Sequence, residues 1–250
     1  ISHRMNVLER IVEQTKEDIA KRRRNRSLAS LKEEALYHER GQYSLKEVLS
    51  STKNALNIIA EVKKASPSKG VIREDFKPLD HALDYQEHGA SAISCLTDEP
   101  FFQGHLSYMQ AIAQHLEIPL LRKDFIVDPY QVTEAKAHGA NAILLIVSIC
   151  SKQQLAELHH AADEEGLECL VELYSANEIE KLDLERMPII GVNNRDLKTF
   201  TVDLHRGVEI LQSLPPETIK VSESGLSETK DLKFLVESGI NAALIGEFFM

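Results

Sequence analysis

The stretch "AEVKKASPSKG", residues 60–70, begins as an apolar run and then carries Glu61, Lys63 and Lys64 toward a turn. Side chains alternate along a strand, so Glu61 and Lys63 point the same way. Five further apolar runs end in polar residues: Lys123 and Asp124 in "LLRKDF", Glu172 in "LVELY", Asn193, Asn194 and Arg195 in "GVNNRD", Glu223 and Ser224 in "VSESG", and Glu247 in "IGEFF". Lysines set among glutamates are proton donors and acceptors, and the chemistry they suggest is acid/base catalysis. Ser66 and Ser68 in "SPSKG", with the glycine-bearing turns "SESG" and "IGEFF", add hydroxyl and backbone N–H donors for an anion. Other chemistries lack their motifs: there is no H-E-x-x-H, no G-x-S-x-G and no G-x-x-x-x-G-K-[ST]. The ten histidines are scattered or sit on helix faces, as in "LHHA", and are assigned to the surface, so no metal is expected.

The elements that must position these residues are repetitive. Eight short apolar runs recur along the chain, "LNIIAEVK", "ASAISCLT", "IPLLRKDF", "NAILLIVS", "LECLVELY", "MPIIGVNN", "TIKVSESG" and "NAALIGEF". Most gaps between them hold an amphipathic pattern, such as Leu155, Leu158 and Ala162 between Ser151 and Gly166. Strand, helix, strand in repetition requires parallel pairing through crossovers. The segments "EHGASAI", "AHGANAI" and "ESGINAA" repeat one junction, in which Gly89, Gly139 and Gly239 stop a helix just before a strand; Gly166 does the same. No G-x-G-x-x-G follows the first strand, which favours a closed (β/α)8 barrel over a doubly wound dinucleotide-binding sheet. Barrel strands are buried on both faces. A ring of self-neutralising ion pairs would explain any one of the charges. Their common position at strand C-termini, where barrels keep their active sites, argues for function.

The reading is a single domain over residues 1–250, an α/β (β/α)8 barrel with an N-terminal helical extension over residues 5–50. "MNVLERIVEQTKEDIAKRRR", with Leu8, Ile11 and Val12 at helical spacing, and "SLKEVLSS", opened by Ser44, supply helices expected to cover the barrel's bottom or rim. Residues 1–4 read as a tag remnant before Met5, and an eighth helix is expected to be missing after Met250. A length of 250 residues with 43% hydrophobic and 27% charged residues suits one large soluble domain. The net charge of -10 disfavours nucleic acid and anionic membrane as partners. The run "KRRRNR", Lys21 to Arg26, is expected to be the solvated end of the first helix. No apolar run reaches membrane-spanning length and the start lacks a signal-peptide core, so a cytoplasmic location is expected. Cys95, Cys150 and Cys169, with no C-x-x-C spacing, read as buried small apolar residues.

Seven blocks in order, "IIAEVKKASPSKG", "LTDEPFFQG", "LLRKDFIVDPYQV", "ANAILLIV", "LVELY", "GVNNRDLKTF" and "VSESGL", give the chain a resemblance to the indole-3-glycerol phosphate synthase family of tryptophan biosynthesis. The resemblance implies a (β/α)8 barrel with an N-terminal extension that closes 1-(2-carboxyphenylamino)-1-deoxyribulose 5-phosphate to an indole, losing carbon dioxide and water without a cofactor. It implies Lys123 as general acid for ring closure and Glu172 as general base for dehydration. Lys63 and Asn193 resemble anchors for the substrate carboxylate and its neighbours, with Glu61, Glu223 and Arg195 supporting the polar network. Ser66 and the backbone at Ser224, Gly225, Gly246 and Glu247 resemble the phosphate site, and Phe102 and Phe125 the walls around the anthranilate ring. Crowding by other cations and partial desolvation are expected to depress the Lys123 pKa. The family usually has a small residue where Phe248 stands, so a differently shaped phosphate rim is expected. The partner expected is a small sugar phosphate, and the assembly a monomer or weak homodimer. The rivals are a non-catalytic sugar-phosphate-binding barrel and a phosphoribosylanthranilate isomerase, whose rearrangement calls for a Cys and Asp pair rather than Lys and Glu.

Overall fold

A computed structural model describes residues 5–40, 43–66 and 68–246. Eight parallel strands close into a barrel: β1 (Asn57–Val62), β2 (Ala92–Leu96), β3 (Leu120–Lys123), β4 (Ala142–Ile146), β5 (Glu168–Leu173), β6 (Ile189–Asn193), β7 (Ile219–Glu223) and β8 (Ala242–Ile245). Each pairs with the next in sequence, and β8 returns to β1 with Asn57 opposite Ala242 and Ala60 opposite Ile245. Alternation along the strands sorts the apolar residues into two cores. Ile59, Leu121, Leu144, Leu170, Val221 and Leu244 fill the barrel. Ala60, Val62, Ile93, Ile143, Leu145 and Val171 face the surrounding helices. One residue of slip would exchange the two sets, so burial on both faces fixes the register.

Four helices precede the barrel: α1 (Val7–Asn25), α2 (Leu28–Lys32), α3 (Ala35–Glu39) and α4 (Leu45–Leu49). Asn6 starts α1 through a capping box with Glu9, its Oδ1 accepting from Glu9 N at 2.9 Å. The extension covers both ends of the barrel. Leu45 and Leu49 of α4 are fully buried with Ala92, Ala142 and Ala242, the first residues of β2, β4 and β8, and so close the floor. At the other end Val7 and Ile11 of α1 line a cavity with Lys123 and Phe125, at the mouth.

The basic end of α1 is not merely solvated, which corrects the sequence reading. Arg22 forks onto the buried Glu134, with Nε to Oε2 at 2.7 Å and an Nη to Oε1 at 3.0 Å, while Arg23 pairs with Asp128. Glu134 also sits 3.0 Å from the fully buried Arg122. A buried carboxylate between two guanidiniums is compensated, whereas alone it would be strongly destabilising.

The crossovers are α5 (Pro78–Glu87), the pair α6 (Glu99–Phe102) and α7 (Leu106–Ala113), α8 (Pro129–Ala137), α9 (Lys152–Glu164), α10 (Leu204–Gln212) and α11 (Thr229–Glu237). Between β5 and β6 the connection is only a 3-10 turn, Ala176–Lys181. In α9, Leu155, Leu158 and Ala162 are buried, as their spacing predicts, and Ser151 caps the helix. Gly139 shows why the repeated junction uses glycine: its φ is 92°, and a Cβ there would lie 2.3 Å from the Ala113 Cβ. None of the described helices is long and apolar enough to cross a membrane.

Candidate active site

Alternation on β1 aims Glu61 and Lys63 inward, and the same rule aims Lys123 of β3, Glu172 of β5, Asn193 of β6 and Glu223 of β7 into the mouth. Lys123 Nζ lies 2.8 Å from Glu61 Oε1, and Lys63 Nζ lies 3.9 Å from Glu61 Oε2. Asn193 Nδ2 donates to Glu172 Oε1 at 2.9 Å, and its Oδ1 accepts from Arg195 N at 3.0 Å. Glu223 is 1% exposed, and neither carboxyl oxygen has a hydrogen-bond partner among the described residues. It fits because β6 carries Gly191 beside it: a Cβ at that position would stand 2.5 Å from Glu223 Oε2.

Three carboxylates thus share two lysines in a nearly closed space. Burial opposes the charge on Lys123, but Glu61, Glu223 and Glu172 together outweigh it and hold the ammonium above its ordinary pKa. The expected depression is corrected: the groups crowding Lys123 are anions. Burial raises Glu172 above the usual carboxylate range, with Lys123 and Asn193 pulling the other way. Burial and the neighbouring Glu172 raise Glu223 further still. The cluster therefore holds a firmly charged donor, Lys123, beside carboxyl groups poised to take protons, a separation of roles on which acid/base catalysis depends.

A cavity lined by cations and glycines adjoins the cluster. Ser224, Gly225 and Gly246 line a cavity of about 350 Å³ together with Lys63, Lys69 and Arg195. Ser224 and Gly225 are consecutive left-handed residues, φ 72° and 67°, a backbone form suited to presenting N–H groups to an anion. Glu247 and Phe248 lie outside the described residues. Ser66, at the start of a short hairpin (Ala65–Ser66 with Gly70–Val71), is buried and accepts from Lys69 N at 3.2 Å. It lines a second, smaller space of about 70 Å³ shared with Lys63, Lys123, Phe102, Phe125 and Glu172. The rings of Phe102 and Phe125 stand 6.0 Å apart at 34°. Glu172 and Asn193 also open onto a cleft of about 910 Å³ under the first turns of α1.

Each described residue singled out in the sequence therefore falls at this one end of the barrel. Asp124 belongs to the mouth less than the sequence suggests: it accepts from Thr97 Oγ1 at 2.6 Å and pairs with Arg122 at 3.2 Å, the neutralising arrangement weighed as the alternative. Lys69, in "SPSKG", is a cation on the cavity of about 350 Å³ that the sequence reading passed over, as it did Val7 at the mouth, whereas Ile11 lies on the helix expected at the rim. The histidine reading is also corrected, since His138 and His159 are buried, His138 with its Nδ1 2.7 Å from Glu134 O. Among the described residues no group of three or more His, Cys, Asp or Glu could hold a metal ion. The three cysteines are buried, and burial pushes Cys95 up to about 12.

Comparison with known proteins is consistent along the chain. A family model described as indole-3-glycerol phosphate synthase matches residues 8–250. An indole-3-glycerol phosphate synthase of Salinibacter ruber is 49% identical over 247 residues, covering 98% of this chain and 91% of the relative. One from Aliarcobacter butzleri is 43% identical over 245 residues, 98% of this chain and 93% of the relative. One from Bacillus pumilus is 47% identical over 208 residues, 83% of each.

Proposed function

The chain belongs to the indole-3-glycerol phosphate synthase family, and we propose a division of that family's reaction among its residues. The activity is that of a carboxy-lyase of tryptophan biosynthesis, forming an indole from 1-(2-carboxyphenylamino)-1-deoxyribulose 5-phosphate. The observation that carries the assignment of roles is the Lys123 ammonium, held 2.8 Å from Glu61 in a cluster that also contains the proton-seeking Glu172.

The phosphate binds between Ser66 and the turn at Ser224 and Gly225, with Gly246 beside the turn. The anthranilate ring lies against Phe102 and Phe125. Lys63 and Asn193 anchor the ring carboxylate and its neighbours, and Arg195, Glu61 and Glu223 hold these groups in place. In ring closure the ring carbon bearing the carboxylate attacks the ketone, and Lys123 gives its proton to the developing oxyanion. Closure leaves the ring a conjugated iminium, which accepts the electron pair of the carboxyl C–C bond as carbon dioxide departs and aromaticity returns. Dehydration follows: the new hydroxyl leaves as water with a donated proton, and Glu172 removes the ring C–H proton. Two protons are donated and one is taken back, so each turnover consumes one proton and exchanges no electrons with any other group.

The assembly that fits this reading is a monomer or weak homodimer, since Glu61, Lys123, Glu172 and Glu223 stand on strands of the same barrel. A soluble sugar phosphate as substrate fits a cytoplasmic location. Lys123→Ala and Glu172→Gln are each expected to lower turnover at least about 100-fold, while the affinity for a substrate analogue with its ketone reduced to an alcohol is retained. Near-normal turnover in both variants would contradict the assignment.

A further inference from the structure

Ser224 carries a side chain in the left-handed region, φ 72°, just ahead of Gly225 at φ 67°. Glycine adopts this form freely. Serine does so at a steric cost and stays there only where its surroundings over-determine it. The surroundings come from the neighbouring strand end. Asn194 is 1% exposed and its backbone N–H donates to Glu223 O at 2.8 Å. Its side-chain Nδ2 donates to Ser222 Oγ at 2.9 Å and to the Ser224 carbonyl at 3.1 Å. One residue therefore grips 222, 223 and 224 in succession. A carbonyl can only accept, so the amide must present Nδ2 to Ser224, whichever way the side chain is drawn.

The other end of the amide shows that the arrangement is specified. Asn194 Oδ1 is buried with no hydrogen-bond partner among the described residues, and it faces α10 at Gly207. A Cβ on Gly207 would stand 2.0 Å from that oxygen, so the helix leaves room for the amide only by having a glycine there. Asn194 O in turn accepts from Asp203 N at 2.9 Å, where α10 begins. Asn194 lines neither the acid/base cavity nor the cavity at Ser224 and Gly225.

We propose that Asn194, seated by Gly207, is a positioning residue that holds the Ser224 turn in its left-handed form and so sets affinity for the substrate phosphate. The inference rests on the reading of the turn at Ser224 and Gly225 as the phosphate site. Asn194→Ala is expected to raise both KM for the sugar phosphate and the inhibition constant of inorganic phosphate on the order of tenfold, with kcat within about twofold. In a Ser224→Gly background the turn no longer needs forcing, and the same replacement should change both constants less than about threefold. A generally damaged fold would not show that rescue. Gly207→Ala, which alters neither loop, pushes the amide from behind and should reproduce the rise; it serves also if Asn194→Ala does not fold. Unchanged constants in a folded Asn194→Ala or Gly207→Ala protein, or an equal loss in the Ser224→Gly background, overturn the proposal. Titration of the same proteins with inorganic phosphate in a calorimeter reads the turn without turnover. A parent that made no indole would sink the functional reading, while the phosphate titration would still decide the role of Asn194.

Discussion

Lys123 is a half-buried cation that its surroundings keep charged. Burial alone would lower its pKa, but Glu61 at 2.8 Å and the fields of Glu223 and Glu172 reverse the sign. The sequence displays the lysine and all three carboxylates; it does not display their convergence, because they arrive on β1, β3, β5 and β7. Removing the nearest counter-charge should move the balance back toward desolvation. Glu61→Gln is therefore expected to shift the alkaline limb of the kcat/KM profile to lower pH, and a limb that stayed in place would show that Glu61 does not hold the Lys123 proton. Glu223 presents the opposite case. Unfolded, it titrates near 4.3 as a free glutamate does; folded, its pKa is well above that. Its protonated form is the one the fold favours, so stability is fully present below the unfolded pKa and is lost as pH rises toward the folded one. Glu223→Gln abolishes the loss. Its gain in Tm over the parent should be larger near pH 7 than near pH 4, and equal gains at both values would refute the assignment.

At the scale of elements, helix starts are easier to read than helix partners. Ser44 is a recognisable cap, and its Oγ does accept from Glu47 N at 3.1 Å. What fastens α4 across the floor is Glu168, at the start of β5: its carboxylate accepts from Leu45 N at 2.6 Å, Lys46 N at 3.1 Å and Ser44 Oγ at 3.1 Å. A carboxylate at a helix N-terminus meets both orphan N–H groups and the positive end of the dipole, but no local pattern links residue 44 to residue 168. Glu168→Ala is expected to destabilise the protein by about 1–3 kcal/mol, seen as a lower urea midpoint, with kcat unchanged because the floor is remote from the mouth. An unchanged midpoint, or a fall in kcat at full stability, would contradict this account of α4. Arg22 and Glu134 teach the same lesson. The basic run is visible in the sequence, while its buried acceptor on α8 is not.

Across the whole molecule, periodicity and placement carried most of the information. Apolar runs alternating with glycine-terminated helices predict the closed barrel, and the gathering of charge at the C-terminal ends of strands points to one end for chemistry, although Glu168 and Lys220 put charge near strand starts as well. The reading fell short where meaning depends on distant packing: the sign of the Lys123 shift, the burial of His138 and His159, and the way Gly191 and Gly207 vacate space for Glu223 and Asn194. Each of these is a property of neighbours brought together by closure of the barrel rather than of a motif. The central claim, that this mouth closes an indole ring with Lys123 as its acid, is most directly tested by indole fluorescence. The purified protein and its Lys123→Ala variant are each mixed with the carboxyphenylamino sugar phosphate. Fluorescence that grows with the parent and is at least about 100-fold slower with the variant is the predicted result. A folded parent that binds the substrate and stays dark, or a variant that keeps pace with the parent, would contradict it.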